Sequence, residues 1–339
     1  MKLLILGGTL YLGRHTVEAA LARGHQLTLF NRGQTNPELF PNVERRVGNR
    51  DGNLKALERK TWDAVIDPSG YFPRVVRQGC ELLKDSVGHY TFISSINAYA
   101  DSTKPGITED DELAKLPENS PEEVNGETYG PYKVLSEQEV LSHFPGRSAV
   151  VRAGLIYGPN DATDRSGYWP LRIAEGGDVL APGSPDRPVQ IIDVRDLAEW
   201  LVLMAEKRTA GVFNGTGPET PLTMGGYLDT CREVANSQVR FIWMDEAFLL
   251  EQKVGPYSEM PLWVPEQFNA FETVNVSRAV AAGLKYRRLK DTIQDTLAWA
   301  RAEVQKTKDP RKLGVKIPPA MARSREAELL AAWRERASV

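Results

Sequence analysis

Residues 2–24 read KLLILGGTLYLGRHTVEAALARG, and their reading decides the fold. KLLILG (2–7) is an unbroken apolar run of the length expected for a buried strand. Leu12, Val17, Ala20 and Leu21 then recur at helical spacing, and Gly24 supplies the C′ residue that closes the helix. Between the two elements GGTLYLG (7–13) is a glycine-rich strand-to-helix turn. Such a turn lets a pyrophosphate approach backbone N–H groups at a helix N-terminus. The plainer reading is a tight connection that merely needs positive φ. Against a G-x-G-x-x-G spacing, Gly8 and Gly13 fit and Leu10 occupies the middle position. A glycine there normally allows close approach of the pyrophosphate. The second strand, QLTLF (26–30), ends about 20 residues on, where a ribose-reading residue belongs. The turn is therefore read as a dinucleotide site formed by Gly7, Gly8, Thr9, Leu10, Tyr11, Leu12 and Gly13.

Working outward, short apolar runs alternate with helical patterns. VERRV (43–47), DAVID (63–67), YTFIS (90–94) and AVVRAGLIY (149–157) read as strands. A helix spans about 74–85, and GETYGPYK (126–133) opens another. Strands separated by helices predict an α/β fold, a doubly wound parallel sheet of the Rossmann type. From Gly158 the texture changes. GPNDATDRSGYWP (158–170) is dense in turn formers and long enough to be a functional loop. PVQIIDV (188–194) reads as a strand, 196–206 as a helix, 222–235 as a helix and QVRFIWM (238–244) as a strand. Later helices are expected near 278–282, with Ser277 as N-cap, over 291–304, and over 325–337. The expected organisation is a dinucleotide-binding domain at 1–165 and a smaller C-terminal substrate lobe at 166–339. The segment 188–215 would return to the Rossmann core.

Composition excludes several classes. A 339-residue chain with net charge −3 offers no general surface for nucleic acid. Its late basic cluster (Lys306, Lys308, Arg311, Lys312, Lys316) reads as a solvated tail. Two cysteines, Cys80 and Cys231, stand in helix-like segments without CxxC spacing, which fits a reducing cytoplasm. Four scattered histidines form no HExxH or Cys/His cluster, so no metal is expected. No apolar run is long enough to span a membrane.

The second strand ends in FNRG (30–33), where Asn31 and Arg32 replace the acid that usually reads a ribose 2′-OH. An arginine there would pair with a 2′-phosphate, so NADP is expected, with NAD possible as the alternative cofactor. An exposed loop arginine is the plainer reading.

Taken together, GGTLYLG, FISSINAYA (92–100), YGPYK (129–133), LIYGP (155–159), DVRDLA (193–198) and AGLKYRRLKDTIQDTLAW (282–299) resemble the short-chain dehydrogenase/reductase superfamily. The closest likeness is its extended and atypical branch, the NAD-dependent epimerase/dehydratase family. The resemblance implies an NAD(P)-dependent oxidoreductase that transfers hydride at a carbinol or carbonyl of a small sugar-like or cyclic substrate. It implies Tyr129 as acid/base, Lys133 as the cation that lowers its pKa and holds the nicotinamide ribose, and Ser95 as hydrogen-bond donor to the substrate oxygen. The Tyr–Lys spacing agrees, because positions i and i+4 share a helical face and a nearby cation favours phenolate. Ser94 is the structural neighbour, with the reverse assignment left open. The resemblance further implies that Asn49 and Arg50 lie near the adenine. Pro68, Ser69 and Gly70 would run along the cofactor, and Ala153, Gly154 and Leu155 would meet the carboxamide. Tyr71, Asn97, Arg165 and Arg187 are substrate-side candidates. Tyr168 and Trp169 form either a substrate wall or an anchor for their loop. A homodimer is the habit of the family.

Two departures qualify the substrate. Nucleotide-sugar members place an Arg seven residues before the Asp of Asp-Leu-Ala; here Asp196 is matched by Val189, with Arg187 two residues earlier. The Asn that often follows the sixth strand's Arg is replaced by Ala153–Gly154. A nucleotide-sugar epimerase/dehydratase remains the alternative enzyme. The alternative from another class is a stem-loop RNA-binding protein with a vestigial site, since such relatives share a GGT-x-x-x-G turn.

Overall fold

The opening apolar run forms strand β1 (Lys2–Leu6), with Leu3 to Leu6 all buried. Period-2 geometry splits it between two layers. Leu3 and Ile5 pack with Val17 and Ala20 on one face of the sheet. Leu4 and Leu6 pack with Val76, Leu83 and Phe144 on the other. A strand buried on both faces belongs in a parallel sheet covered by helices. Burying one such Leu side chain stabilises by roughly 1.5–3 kcal/mol.

The computed structural model describes residues 1–163, 165–307 and 320–337. Of the late basic cluster only Lys306 falls within them; Lys308, Arg311, Lys312 and Lys316 lie outside. The strands that follow are β2 (Gln26–Asn31), β3 (Glu44–Val47), β4 (Trp62–Asp67), β5 (Val87–Ser95), β6 (Ser148–Ala153), β7 (Leu155–Tyr157), β8 (Gly177–Pro182), β9 (Pro188–Val189), β10 (Ile191–Asp193), β11 (Gly211–Gly215), β12 (Leu222–Thr223) and β13 (Val239–Met244). Seven of them make one parallel sheet in the order β11-β6-β5-β4-β1-β2-β3. The helices are α1 (Tyr11–Ala22), α2 (Pro73–Leu83), α3 (Tyr129–His143), α4 (Arg165–Ala174), α5 (Val194–Lys207), α6 (Met224–Ala235), α7 (Glu246–Glu251), α8 (Ser277–Ala281), α9 (Leu289–Thr307) and α10 (Arg323–Ala337). Helix α1 packs beside α5 and α2 beside α3. Gly24, at φ 76°, follows the α1 C-cap Arg23 as expected of a C′ glycine.

Four expectations change. AVVRAGLIY is two strands. β6 stays in the main sheet against β11, whereas β7 leaves it to pair with β10. The break falls at Gly154, where any Cβ would lie 2.2 Å from Thr216 Oγ1. PVQIIDV likewise divides into β9, which pairs with β12, and β10, and Val194 already begins α5. The turn-rich segment from Gly158 becomes helix α4 at Arg165 in spite of an internal Pro170. Asp161 organises the entry by accepting hydrogen bonds from Ser166 N and Oγ at 3.0 and 2.7 Å. Ser277 is the first residue of α8 rather than its N-cap. Its N–H donates to Asn275 Oδ1 at 2.9 Å.

A second apolar cluster lies beyond the sheet, around the parallel pair β8–β13 and helices α4, α6 and α9. Helix α10 closes it, carrying Glu326 to a buried ion pair with Arg172.

Candidate active site

From β1 the sheet is extended through β2 and β3 in one direction, and through β4, β5 and β6 in the other. Such a reversal opens a crevice outside the carboxyl ends of the flanking strands, here β1 and β4. The glycine turn stands over it. Gly7 and Gly8 have φ of 115° and 94°, the α1 N-cap Leu10 makes no side-chain cap, and among the described residues no side chain accepts from the first-turn N–H groups. Asn31 braces the turn: its amide donates to Gly7 O at 2.8 Å and its carbonyl accepts from Gly33 N at 2.9 Å. Thr9 is buried, and its carbonyl accepts from Asn36. Arg32 is exposed and makes no hydrogen bond or ion pair among the described residues.

The crevice fits a dinucleotide. Uncapped N–H groups suit a pyrophosphate. Leu10, Val47 and Tyr71, three of the exposed large apolar side chains, stand past the end of β1, at the last residue of β3 and past the end of β4. They offer apolar surface to flat rings along the carboxyl edge. Asn49, exposed beyond β3, accepts from Asp51 N at 3.2 Å and leaves its amide N–H groups free among the described residues. Ser69 links the strands flanking the crevice by donating to Leu6 O at 3.0 Å.

Arg50, expected beside the adenine, is spent elsewhere. Its guanidinium clamps the fully buried carboxylate of Asp67 at 2.7 and 2.6 Å and donates to Ser69 Oγ at 3.0 Å. Tyr90 OH completes the set, donating to Asp67 at 2.8 Å. Sequence reasoning missed this cluster. Its signal was the acid that closes DAVID behind the apolar Ala64, Val65 and Ile66.

On the far side of the crevice β5 and α3 bring Ser95, Tyr129 and Lys133 together. Gly130 makes this possible, because a Cβ there would sit 2.0 Å from Asn97 O. With no side chain at 130, the first turn of α3 seats against the segment that follows Ser95. Burial raises the Tyr129 phenol pKa and the charge of Tyr71 adds to it; hydrogen bonding to Ser95 and the charge of Arg165 pull it back. Lys133 is 3% exposed. Its ammonium donates to Gly70 O at 2.7 Å and Ile93 O at 2.6 Å, beneath the rings of Phe92 and Tyr71. Burial lowers its pKa to about 8, against the charges of Asp67 and Glu137. The cation that pulls on the phenol in this structure is thus Arg165.

The two serines separate cleanly. Ser94 is buried and donates to Glu137, which is itself paired with the buried Arg152 at 2.8 Å. Ser95 Oγ caps Asn97 N at 3.2 Å and faces Tyr129. Glu137 had a legible signal, four residues after Lys133 on one helical face. Ala153 ends β6, and Gly154 and Leu155 carry the chain off the sheet beside Thr216. Pro68 and Gly70 line the turn after β4, with Tyr71 exposed beyond them and its ring centroid 6.4 Å from that of Tyr129. Asn97 is exposed at the end of β5.

Three substrate-side expectations are relocated. Trp169 is wholly buried and its indole donates to Pro261 O at 2.7 Å. Tyr168 packs edge-on against it, so both belong to the core of the C-terminal cluster. Neither lines a substrate wall. Arg187 is 8% exposed, donates to Asn269, and faces the charge of Glu272. That Glu272 carboxyl is pushed up to about 7 by burial, while accepting from Tyr257 OH and Gln190 N.

Sheet order, glycine turn and the Ser/Tyr/Lys grouping define a Rossmann-type protein of the short-chain dehydrogenase/reductase kind. Residues 3–215 match the NAD dependent epimerase/dehydratase family, and the chain belongs to it. It is accordingly an enzyme that works with a nicotinamide dinucleotide. Among solved structures it resembles UDP-glucuronic acid 4-epimerase from Bacillus cereus in complex with NAD, at 14% identity and TM-score 0.65, covering 91% of this chain and 99% of that one. It also resembles the Bordetella bronchiseptica enzyme WbmH in complex with NAD+, at 18% identity and TM-score 0.64, covering 88% and 98%. A curated relative, the chloroplast stem-loop binding protein of 41 kDa b from Arabidopsis thaliana, is 25% identical over 249 residues, 68% of this chain. The chain spans 62% of that relative's length. Among the described residues no helix is long and apolar enough to cross a membrane.

Proposed function

We propose that the protein is an NAD(P)-dependent oxidoreductase acting at a carbinol or carbonyl carbon of a small sugar-like or cyclic substrate. The observation that carries this reading is the grouping of Ser95, Tyr129 and buried Lys133 beside the crevice. When bound there, a nicotinamide dinucleotide supplies the hydride donor or acceptor. Ser95 donates a hydrogen bond to the substrate oxygen and fixes its position. Tyr129, protonated at neutral pH because burial raises its pKa, delivers its proton to that oxygen during reduction and recovers it during oxidation. Lys133 holds its ammonium against Gly70 O and Ile93 O. It has one N–H left to give a ribose hydroxyl. Arg32, with no acid beside it and the Asn31 amide already spent, favours a 2′-phosphate and hence NADP(H).

A second reading has its own support in the sugar-nucleotide epimerase named above. There a nucleotide sugar would be oxidised transiently by hydride transfer to the bound dinucleotide and reduced again, with Tyr129 taking and returning the proton. A screen of free sugars, polyols and cyclic ketones with NADP(H) or NAD(H), followed at the absorbance of reduced cofactor, tests the proposal. UDP-sugars run in parallel by product chromatography. Turnover of a small substrate is expected. Epimerised UDP-sugar with no net redox would replace the first reading by the second. Tight binding of a structured RNA with no turnover at all would overturn both.

A further inference from the structure

Arg165 is the substrate-side arginine that makes no hydrogen bond or ion pair among the described residues. Its Nε is fully buried without a hydrogen-bond acceptor, and no carboxylate lies within ion-pair distance among the described residues. The acid nearest in sequence among them, Asp161, is 1% exposed and saturated. One of its oxygens accepts from Thr163 N and Oγ1 at 2.8 and 2.7 Å, the other from Ser166 N and Oγ. A guanidinium partly withdrawn from water without compensating acceptors is costly, and each such group calls for an explanation.

The segment that carries Arg165 is not free to swing away. Tyr11 OH donates to Ile156 O at 2.8 Å, His15 Nε2 lies 2.9 Å from Pro159 O, and Arg14 donates to Asn160 Oδ1 at 2.9 Å. Helix α1, which bears the cofactor turn, therefore holds this connection. Its far end delivers Arg165 close enough to Tyr129 for the guanidinium charge to act on the phenol. Arg187 also keeps a buried Nε without an acceptor, but it donates to Asn269 and faces the charge of Glu272, and its charge is not among those that act on Tyr129.

We propose that Arg165 is the anchor for a single oxyanion on the substrate, a carboxylate or a monoester phosphate, held beside the carbon that reacts at Tyr129. The inference rests on the function proposed above and narrows it. One unspent guanidinium matches one oxyanion by paired N–H···O bonds. A nucleoside diphosphate would present two phosphoryl groups, and Arg165 offers paired N–H···O bonds to one.

The test is titration calorimetry of protein saturated with NADP(H), so that the glycine turn and Arg32 are already engaged. Inorganic phosphate and acetate are the two probes, and they distinguish a phosphate-bearing from a carboxylate-bearing substrate. At least one should bind to the wild type, and R165M should weaken it at least tenfold, as expected for loss of a charge-assisted pair. Tyr129→Phe should retain the binding. NADP(H) affinity and the urea midpoint of R165M, both unchanged from wild type, certify an intact fold. Failure of both anions to bind, or equal binding by R165M, overturns the anchor. If the protein takes up no dinucleotide, the proposed function fails on its own. The same titration of the cofactor-free protein with and without R165M then still decides the role of Arg165.

Discussion

Replacing Arg50 by methionine isolates the buried cluster under the crevice. Asp67 is fully buried, and Arg50 clamps both its oxygens, at 2.7 and 2.6 Å. Without the guanidinium the carboxylate retains only the Tyr90 hydroxyl and Ser69 N–H, at 2.8 and 3.1 Å. Breaking one partner out of a buried pair costs roughly 3–5 kcal/mol. The Arg50 side chain is 16% exposed, so the low end, about 3 kcal/mol, is expected at pH 8. With an unfolding entropy of roughly 2.1 cal/mol/K per residue, a chain of this length loses about 4 °C in Tm. Urea unfolding of wild type, R50M and the double variant R50M/D67N is the assay. The double variant, with no buried charge, should recover most of the loss. An R50M within 1 kcal/mol of wild type at pH 8, or a double variant as unstable as the single, would refute the reasoning.

Gly130→Ala forces a Cβ against Asn97 O; kcat should fall at least tenfold while cofactor affinity, measured by calorimetry, stays within about twofold. Glu272, with its folded pKa raised to about 7, binds protons more readily folded than unfolded. Wild-type stability should therefore decline by about 2 kcal/mol between pH 5 and pH 7.5 relative to E272Q; parallel pH profiles of the two in urea would show the carboxyl uncoupled. Arg32→Ala should lower the NADP(H)-over-NAD(H) affinity ratio roughly ten- to a hundredfold. An unchanged ratio in calorimetry removes Arg32 from cofactor choice.

The sheet was legible because buried parallel strands are short apolar runs; KLLILG carries that signal at its strongest, and QLTLF and DAVID carry it around Thr28 and between Asp63 and Asp67. The Tyr129–Lys133 pair was legible as i, i+4 spacing on one helical face, whereas Ser95 and the roles of all three came from the resemblance to the short-chain dehydrogenase/reductase superfamily. What escaped was set by tertiary approach. Nothing in AVVRAGLIY reveals that Thr216 will press on Gly154 and turn one strand into two. The turn formers in 158–170 hide a helix whose aromatic pair, Tyr168 and Trp169, is core. Arg50 and Asp67 stand 17 residues apart, and no periodicity relates them. Arg165 and Arg187 look alike in sequence, and only their partners tell them apart.

The central claim is that Tyr129 exchanges the substrate proton while the crevice holds the cofactor. Single-turnover measurement of Tyr129→Phe against wild type tests it most directly, using the best small substrate from the screen and following reduced cofactor. The account predicts that the variant binds NADP(H) within about twofold of wild type and transfers hydride 10²–10⁴-fold more slowly, the usual worth of a positioned acid/base. A variant that transfers hydride at the wild-type rate would contradict it.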